Sequence, residues 1–126
     1  MTPDVVAAIA EIRAMFPSHR VEVEPESQGG AYVTVHDLSL GRSYTPQRGW
    51  IGFLVPFQYP DTDVYPHFTD AALVRADGAS LDSAFQRVPW QGRAATQISR
   101  RSNPWELTTD AAAVKLRKVL AWMHSH

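Results

Sequence analysis

Gln97-Ile98-Ser99-Arg100-Arg101-Ser102-Asn103-Pro104-Trp105 is the stretch on which the reading of this chain turns. It sets an amide, two hydroxyls and two adjacent guanidinium groups in front of Asn-Pro-Trp, and an amphipathic helical pattern follows at once. The chain has no cysteine. That excludes a disulfide framework, a thiolate zinc site and cysteine catalysis together, and it leaves the redox compartment open.

Working outward from this stretch, Ala113, Leu116, Leu120 and Met123 form a helical stripe, started by Thr109 and Asp110, with Lys115, Arg117 and Lys118 assigned to the other faces. Upstream, from Asp77 to Trp105, Gly, Pro, Ser and Arg are scattered among isolated aromatics. A long irregular segment is expected there, and in a small domain such a segment usually has a function. Before it, Val21 and Val23 alternate with Glu22 and Glu24, a Gly29-Gly30 turn follows, and Ala31-Tyr32-Val33-Thr34-Val35 completes a hairpin signature. A third strand is expected from Trp50 to Val55, bracketed by Pro46 and Gly49 before it and by Pro56 and Tyr59-Pro60-Asp61 after it, and a fourth over Ala71 to Val74. At the start of the chain, Val5, Ile9, Ile12 and Phe16 recur at helical spacing, with Thr2 as cap, Pro3 in the first turn and Pro17 as terminator. The fold class is therefore α+β: an N-terminal helix, a four-stranded antiparallel meander, a long irregular segment and a C-terminal helix.

A chain of 126 residues with 44% hydrophobic content is long enough for one core, so residues 1–126 are read as a single domain. A net charge of −1 gives no overall field to recruit nucleic acid or an anionic membrane. No apolar run is long enough to span a bilayer and no secretory signal precedes the first helix, so a cytoplasmic protein is expected.

Three features carry a family resemblance. Tyr59-Pro60 directly follows a strand ending Leu54-Val55-Pro56-Phe57, with Tyr65-Pro66 before the next strand; Trp105 stands eight residues after Gln97; and a helix follows Trp105. In this order the chain resembles the ubiquitin-conjugating enzymes, and Trp90-Gln91-Gly92 with Ser99-Arg100 is similar to a bacterial branch found in gene clusters with ubiquitin-like proteins and activating enzymes. The resemblance implies a ubiquitin-conjugating-enzyme-like fold over nearly the whole chain, with a ubiquitin-like protein and its activating enzyme as partners. It places Gln97 where the family has its catalytic cysteine. The second proline comes later than is usual in the family, and the His-Pro-Asn triplet that supplies the oxyanion-stabilising asparagine is missing between Ala71 and Gln97.

Transfer of an acyl group needs a nucleophile, donors for the oxyanion and a way to activate the amine. Glutamine cannot carry the acyl group. Ser99 or Ser102 would do so only with an adjacent base, and His67, among prolines and aromatics, is the best histidine candidate; its plain alternative is a surface histidine outside any chemistry. Arg100 and Arg101, with Arg93, Gln97 and Ser102, form a candidate binding set for a partner's C-terminal tail, since guanidinium forks pair with carboxylates at two points; the alternative is a solvated basic loop. Trp90 and Trp105 are expected to pin the irregular segment, Trp50 to be core, and Trp122 to be half exposed and open to a partner. No phosphate loop, dinucleotide fingerprint, serine-hydrolase elbow or paired-histidine metal motif is present, so no cofactor and no metal are expected; Asp61, Asp63 and Asp70 near His67 read as a solvated turn before a hard-cation site.

Three functions are compatible with these residues. The first is a non-covalent partner in a bacterial ubiquitin-like conjugation pathway. The second is an acyl carrier using a serine oxyester, or a variant whose native cysteine was replaced at Ala94, Ala95, Ser99 or Ser102. The third is an interaction module that shares only the fold.

Overall fold

The computed structural model describes residues 1–102, 106 and 111–126. Helix α1 (Pro3–Met15) opens as its sequence predicts, with the Thr2 Oγ1 accepting from the Val5 amide at 3.2 Å and Pro3 in the first turn, where its missing N–H leaves no helical bond unmade. Its face of Val5, Ala8, Ile9 and Ile12 is buried. Strands β1 (Val21–Pro25), β2 (Ala31–Ser39), β3 (Tyr44–Thr45), β4 (Arg48–Val55), β5 (His67–Asp70), β6 (Val74–Arg75), β7 (Phe85–Trp90) and β8 (Arg93–Ile98) follow, and helix α2 (Ala112–Ser125) closes the order. Six strands make one sheet in the order β1-β2-β4-β5-β8-β7, while β3 and β6 form a separate two-stranded ribbon. Every pairing is antiparallel.

The α+β class and the helix, antiparallel sheet, helix order stand as the sequence indicated, but two strand assignments change. The fourth strand is His67–Asp70 rather than Ala71–Val74; residues 71–73 lie in the turn after it, where the Asp70 carboxylate accepts from the Ala72 amide at 2.8 Å. The stretch read as irregular from Asp77 holds the β7–β8 hairpin. Its two-residue turn, Gln91-Gly92, has φ of 52° and 75°, the doubly left-handed geometry that matches strand twist and favours glycine at the second position. Trp105, Thr109 and Asp110 lie outside the described residues.

Register decides which side chains share a face. One row runs Val23, Val33, Phe53, His67, Ile98 and Phe85 across the six strands. This is the helix side of the sheet, where Val33, Phe53 and Ile98 join the α1 residues and Ala112, Ala113, Leu116, Val119 and Met123 of α2 in one core. The neighbouring row, Glu22, Thr34, Gly52, Phe68, Gln97 and Gln86, faces the opposite way. Trp50 belongs to that second face and is half-buried, not core as its strand context suggested. It stacks on Trp90 with ring centroids 6.1 Å apart, Trp90 stacks on Phe68 at 4.7 Å, and Tyr32 meets Trp90 edge-on at 6.3 Å. The hairpin tip is thus folded over the sheet and clasped there by aromatic packing.

Gly52 makes the clasp possible. A Cβ at this position would lie 2.5 Å from two ring carbons of Trp90, so only a bare Cα lets the indole lie flat on β4. Gly52→Ala is therefore expected to lower unfolding free energy by about 1–3 kcal/mol through overpacking, read by urea denaturation with tryptophan fluorescence. An unchanged midpoint and an unchanged emission spectrum would mean that the indole does not depend on this notch.

Candidate functional site

Strand β8 carries the sequence-selected segment out of the sheet, and its pairing fixes where each candidate side chain goes. Gln97, paired with Phe68 on the outer face, is half-buried, and its Nε2 donates to Ser99 Oγ at 3.1 Å. The Ser99 amide donates to the Ala84 carbonyl at 2.8 Å, which ties the exit of β8 to the start of β7. Arg100 and Arg101 then splay apart. The Arg100 guanidinium lies over the Trp122 ring at 4.8 Å, on α2, and that of Arg101 lies over the Tyr65 ring at 4.5 Å. Both arginines are exposed, so each guanidinium lies over an aromatic ring and keeps its remaining donors open to water. Trp122 is half-buried against Phe85, as its place beside the helical stripe indicated.

Ser102 turns inward. Its amide donates to Asp63 Oδ2 at 2.7 Å and its Oγ accepts from Lys115 Nζ at 2.7 Å. Lys115 Nζ also donates to both Asp63 oxygens, at 2.8 and 3.0 Å. The lysine side chain is only 4% exposed and the aspartate 14%. The helical stripe put Lys115 on an outer face; it is instead buried on the core side of α2, and Asp63 faces its ammonium group rather than lying in a solvated turn. Sequence spacing missed this trio because 52 residues separate its two charged members. The start of α2 is anchored nearby by the phenol of Tyr59, from the Tyr-Pro motif, which accepts from the Ala112 amide at 3.1 Å where Ala111 has no capping side chain. Burial pushes the Tyr59 phenol above its ordinary pKa.

His67 is fully buried in the inner row, with its ring 5.1 Å from that of Phe53 and neither ring nitrogen hydrogen-bonded among the described residues. Burial, reinforced by the Lys115 charge, pushes its pKa down to about 3, so the ring is neutral. It is not a surface histidine, and it stands on the opposite face of the sheet from the Gln97–Ser99 pair. Arg93 is also apart from its proposed companions: it sits at the hairpin tip over the Trp50 ring at 4.1 Å, roughly 20 Å of strand away from Arg100.

The arrangement offers donors and charge more than proton acceptors. Ser99 Oγ is bonded to an amide. The Lys115 ammonium that touches Ser102 is held by a carboxylate, so it serves as donor and not as general base. What remains accessible is the pair of arginines beside Ser99, a surface that suits carboxylates.

Residues 13–126 match the family described as Prokaryotic E2 family E, and the chain belongs to that ubiquitin-conjugating-enzyme-like family. Comparison with curated proteins and with solved structures gives no match. Family membership implies partners in ubiquitin-like pathways in general, and the chain has no cysteine with which to carry a thioester.

Two outcomes test the buried groups. Lys115→Met is expected to lower stability by about 3 kcal/mol, because it strands the Asp63 carboxylate and frees Ser102, and adding Asp63→Asn should recover part of the loss. Strictly additive losses in the double-mutant cycle would mean that the pair is not coupled. For His67, the unfolded chain titrates near 6.5 and the folded chain near 3, so the unfolded state binds more protons between these values. Its contribution is complete above pH 6.5 and declines toward pH 3, by at most about 1.4 kcal/mol per pH unit. His67→Phe should flatten the fall in stability between pH 6.5 and 5 relative to the parent, measured by urea unfolding across that range; parallel curves would show that His67 takes up a proton equally in both states.

Proposed function

We propose that this member of Prokaryotic E2 family E is a non-covalent component of a bacterial ubiquitin-like protein modification pathway, acting in the cytoplasm as a single domain over residues 1–126. It holds a ubiquitin-like protein, its activating enzyme, or both, without carrying the acyl group itself. The observation that carries this reading is the fate of position 97. The residue that matches the family cysteine by spacing is a glutamine, paired within a β-strand and bonded to Ser99, in a chain without any thiol. Family membership supports the pathway, and among the described residues no base accepts from the Ser99 or Ser102 hydroxyl, which speaks against an oxyester carrier.

The contact surface is the exit of β8. Arg100 and Arg101 present guanidinium edges held by Trp122 and Tyr65, and Gln97 and Ser99 flank them on the sheet side. This set suits the carboxylate terminus of an extended tail.

Incubation with its cognate activating enzyme, ATP and ubiquitin-like protein is expected to give a complex without a covalent adduct. An adduct that resists thiol reductants and is released by mild base would overturn the non-covalent reading in favour of a serine ester. Absence of any binding to either protein would leave only the shared fold. Arg100→Glu with Arg101→Glu should weaken partner binding about tenfold or more by charge reversal, with thermal stability nearly unchanged because both side chains are exposed. A large drop in melting temperature would assign the two arginines to the fold instead.

A further inference from the structure

The side of the sheet away from the helices carries a second feature, distinct from the β8 exit. Between the folded-over hairpin tip and strands β1 and β2 lies a cavity of about 560 Å³, a size that suits one extended side chain with its flanking backbone. Its floor is set by cross-strand pairs: Glu22 stands opposite Thr34 and Glu24 opposite Tyr32, so both carboxylates and the phenol point into the same space. Its wall is Trp90, perpendicular to Tyr32 with an interplanar angle of 77°. Two aromatic rings at right angles beside carboxylates create a negative, partly desolvated corner.

The charges in the cleft are unequally engaged. Glu22 is paired with Arg20 at 2.9 Å and with His36 at 2.7 Å. Arg93 is drawn off over the Trp50 ring at 4.1 Å. For Glu24, no hydrogen bond or ion pair is found among the described residues. Glu24 is therefore the carboxylate beside the two rings that lacks a partner among the described residues, and its complement is a cation on an apolar stem.

We propose that this cleft receives a basic side chain, lysine or arginine, from an extended peptide segment of a protein partner. The ammonium or guanidinium group meets the Glu24 carboxylate, and the methylene stem lies against Tyr32 and Trp90. Arg93 also lines the cleft, so its charge opposes that of the incoming cation. The assignment does not rest on the ubiquitin-like pathway, and its test uses none of that pathway's proteins.

The intact chain is titrated with the peptide acetyl-Gly-Lys-Gly-amide and followed by NMR through the Trp90 indole N–H and the Glu24 and Tyr32 amides. Saturable shifts at these positions are expected, with much smaller ones from the norleucine analogue, which keeps the stem and lacks the charge. Glu24→Gln should weaken the lysine peptide about threefold, and Arg93→Gln should tighten it by a similar factor. Glu24 is exposed and outside the aromatic clasp, so the fold of this variant is expected to persist, as the unchanged amide spectrum elsewhere will show. Equal shifts from the norleucine peptide, tighter binding of acetyl-Gly-Glu-Gly-amide than of the lysine peptide, or indifference to Glu24→Gln would each overturn the proposal. Equal binding of n-butylammonium would do so as well, by assigning the cleft to free amines.

Discussion

The bond set around Lys115 is the constraint on which the position of the β8 exit depends. Strand β8 ends at Ile98, and residues 99–102 beyond it belong to no strand or helix. Lys115 reaches from α2 to Asp63, and Asp63 in turn holds the Ser102 amide, so one buried ion pair joins the loop after β4, the end of the β8 exit and the closing helix. A paired charge at this depth is tolerated because each donor and acceptor is matched; removing one member would strand the other. Tyr59 strengthens the same junction by accepting the Ala112 amide. The Tyr-Pro motif and the polar segment, distant in sequence, are thus two ends of one joint.

The sheet separates two kinds of chemistry. Its inner row is apolar except for His67, whose burial keeps the imidazole neutral and whose orientation places it away from Gln97 and Ser99. Its outer row is bare at Gly52, and the hairpin tip exploits that gap by laying Trp90 across β4. The consequence is a small aromatic layer outside the main core, with a cleft between the tip and β1. The end of β8 and the residues just after it present an amide, a hydroxyl and two arginines laid on aromatic rings.

Sequence by itself determined the elements whose signals are local. Thr2 and Pro3 set the start of α1 because capping and a fixed φ act within one turn. The alternation from Val21 to Val35 set the first hairpin because a strand's faces follow from a period of two, and the order of Tyr59-Pro60, Gln97, Trp105 and the final helix was enough for the family. The β7–β8 hairpin was less legible. Its Gln91-Gly92 turn was visible in sequence, but the flanking strands hold Pro89 and Arg87 where alternating apolar residues would have marked them. Tertiary structure alone decided that Lys115 is buried, that His67 and Ser99 face opposite ways, that Trp50 belongs to the outer layer, and that Arg93 is remote from Arg100. The physical reason is common to all four: whether a polar or aromatic side chain is buried, paired or exposed depends on register and on partners far along the chain, and neither is encoded in the periodicity of the residues beside it.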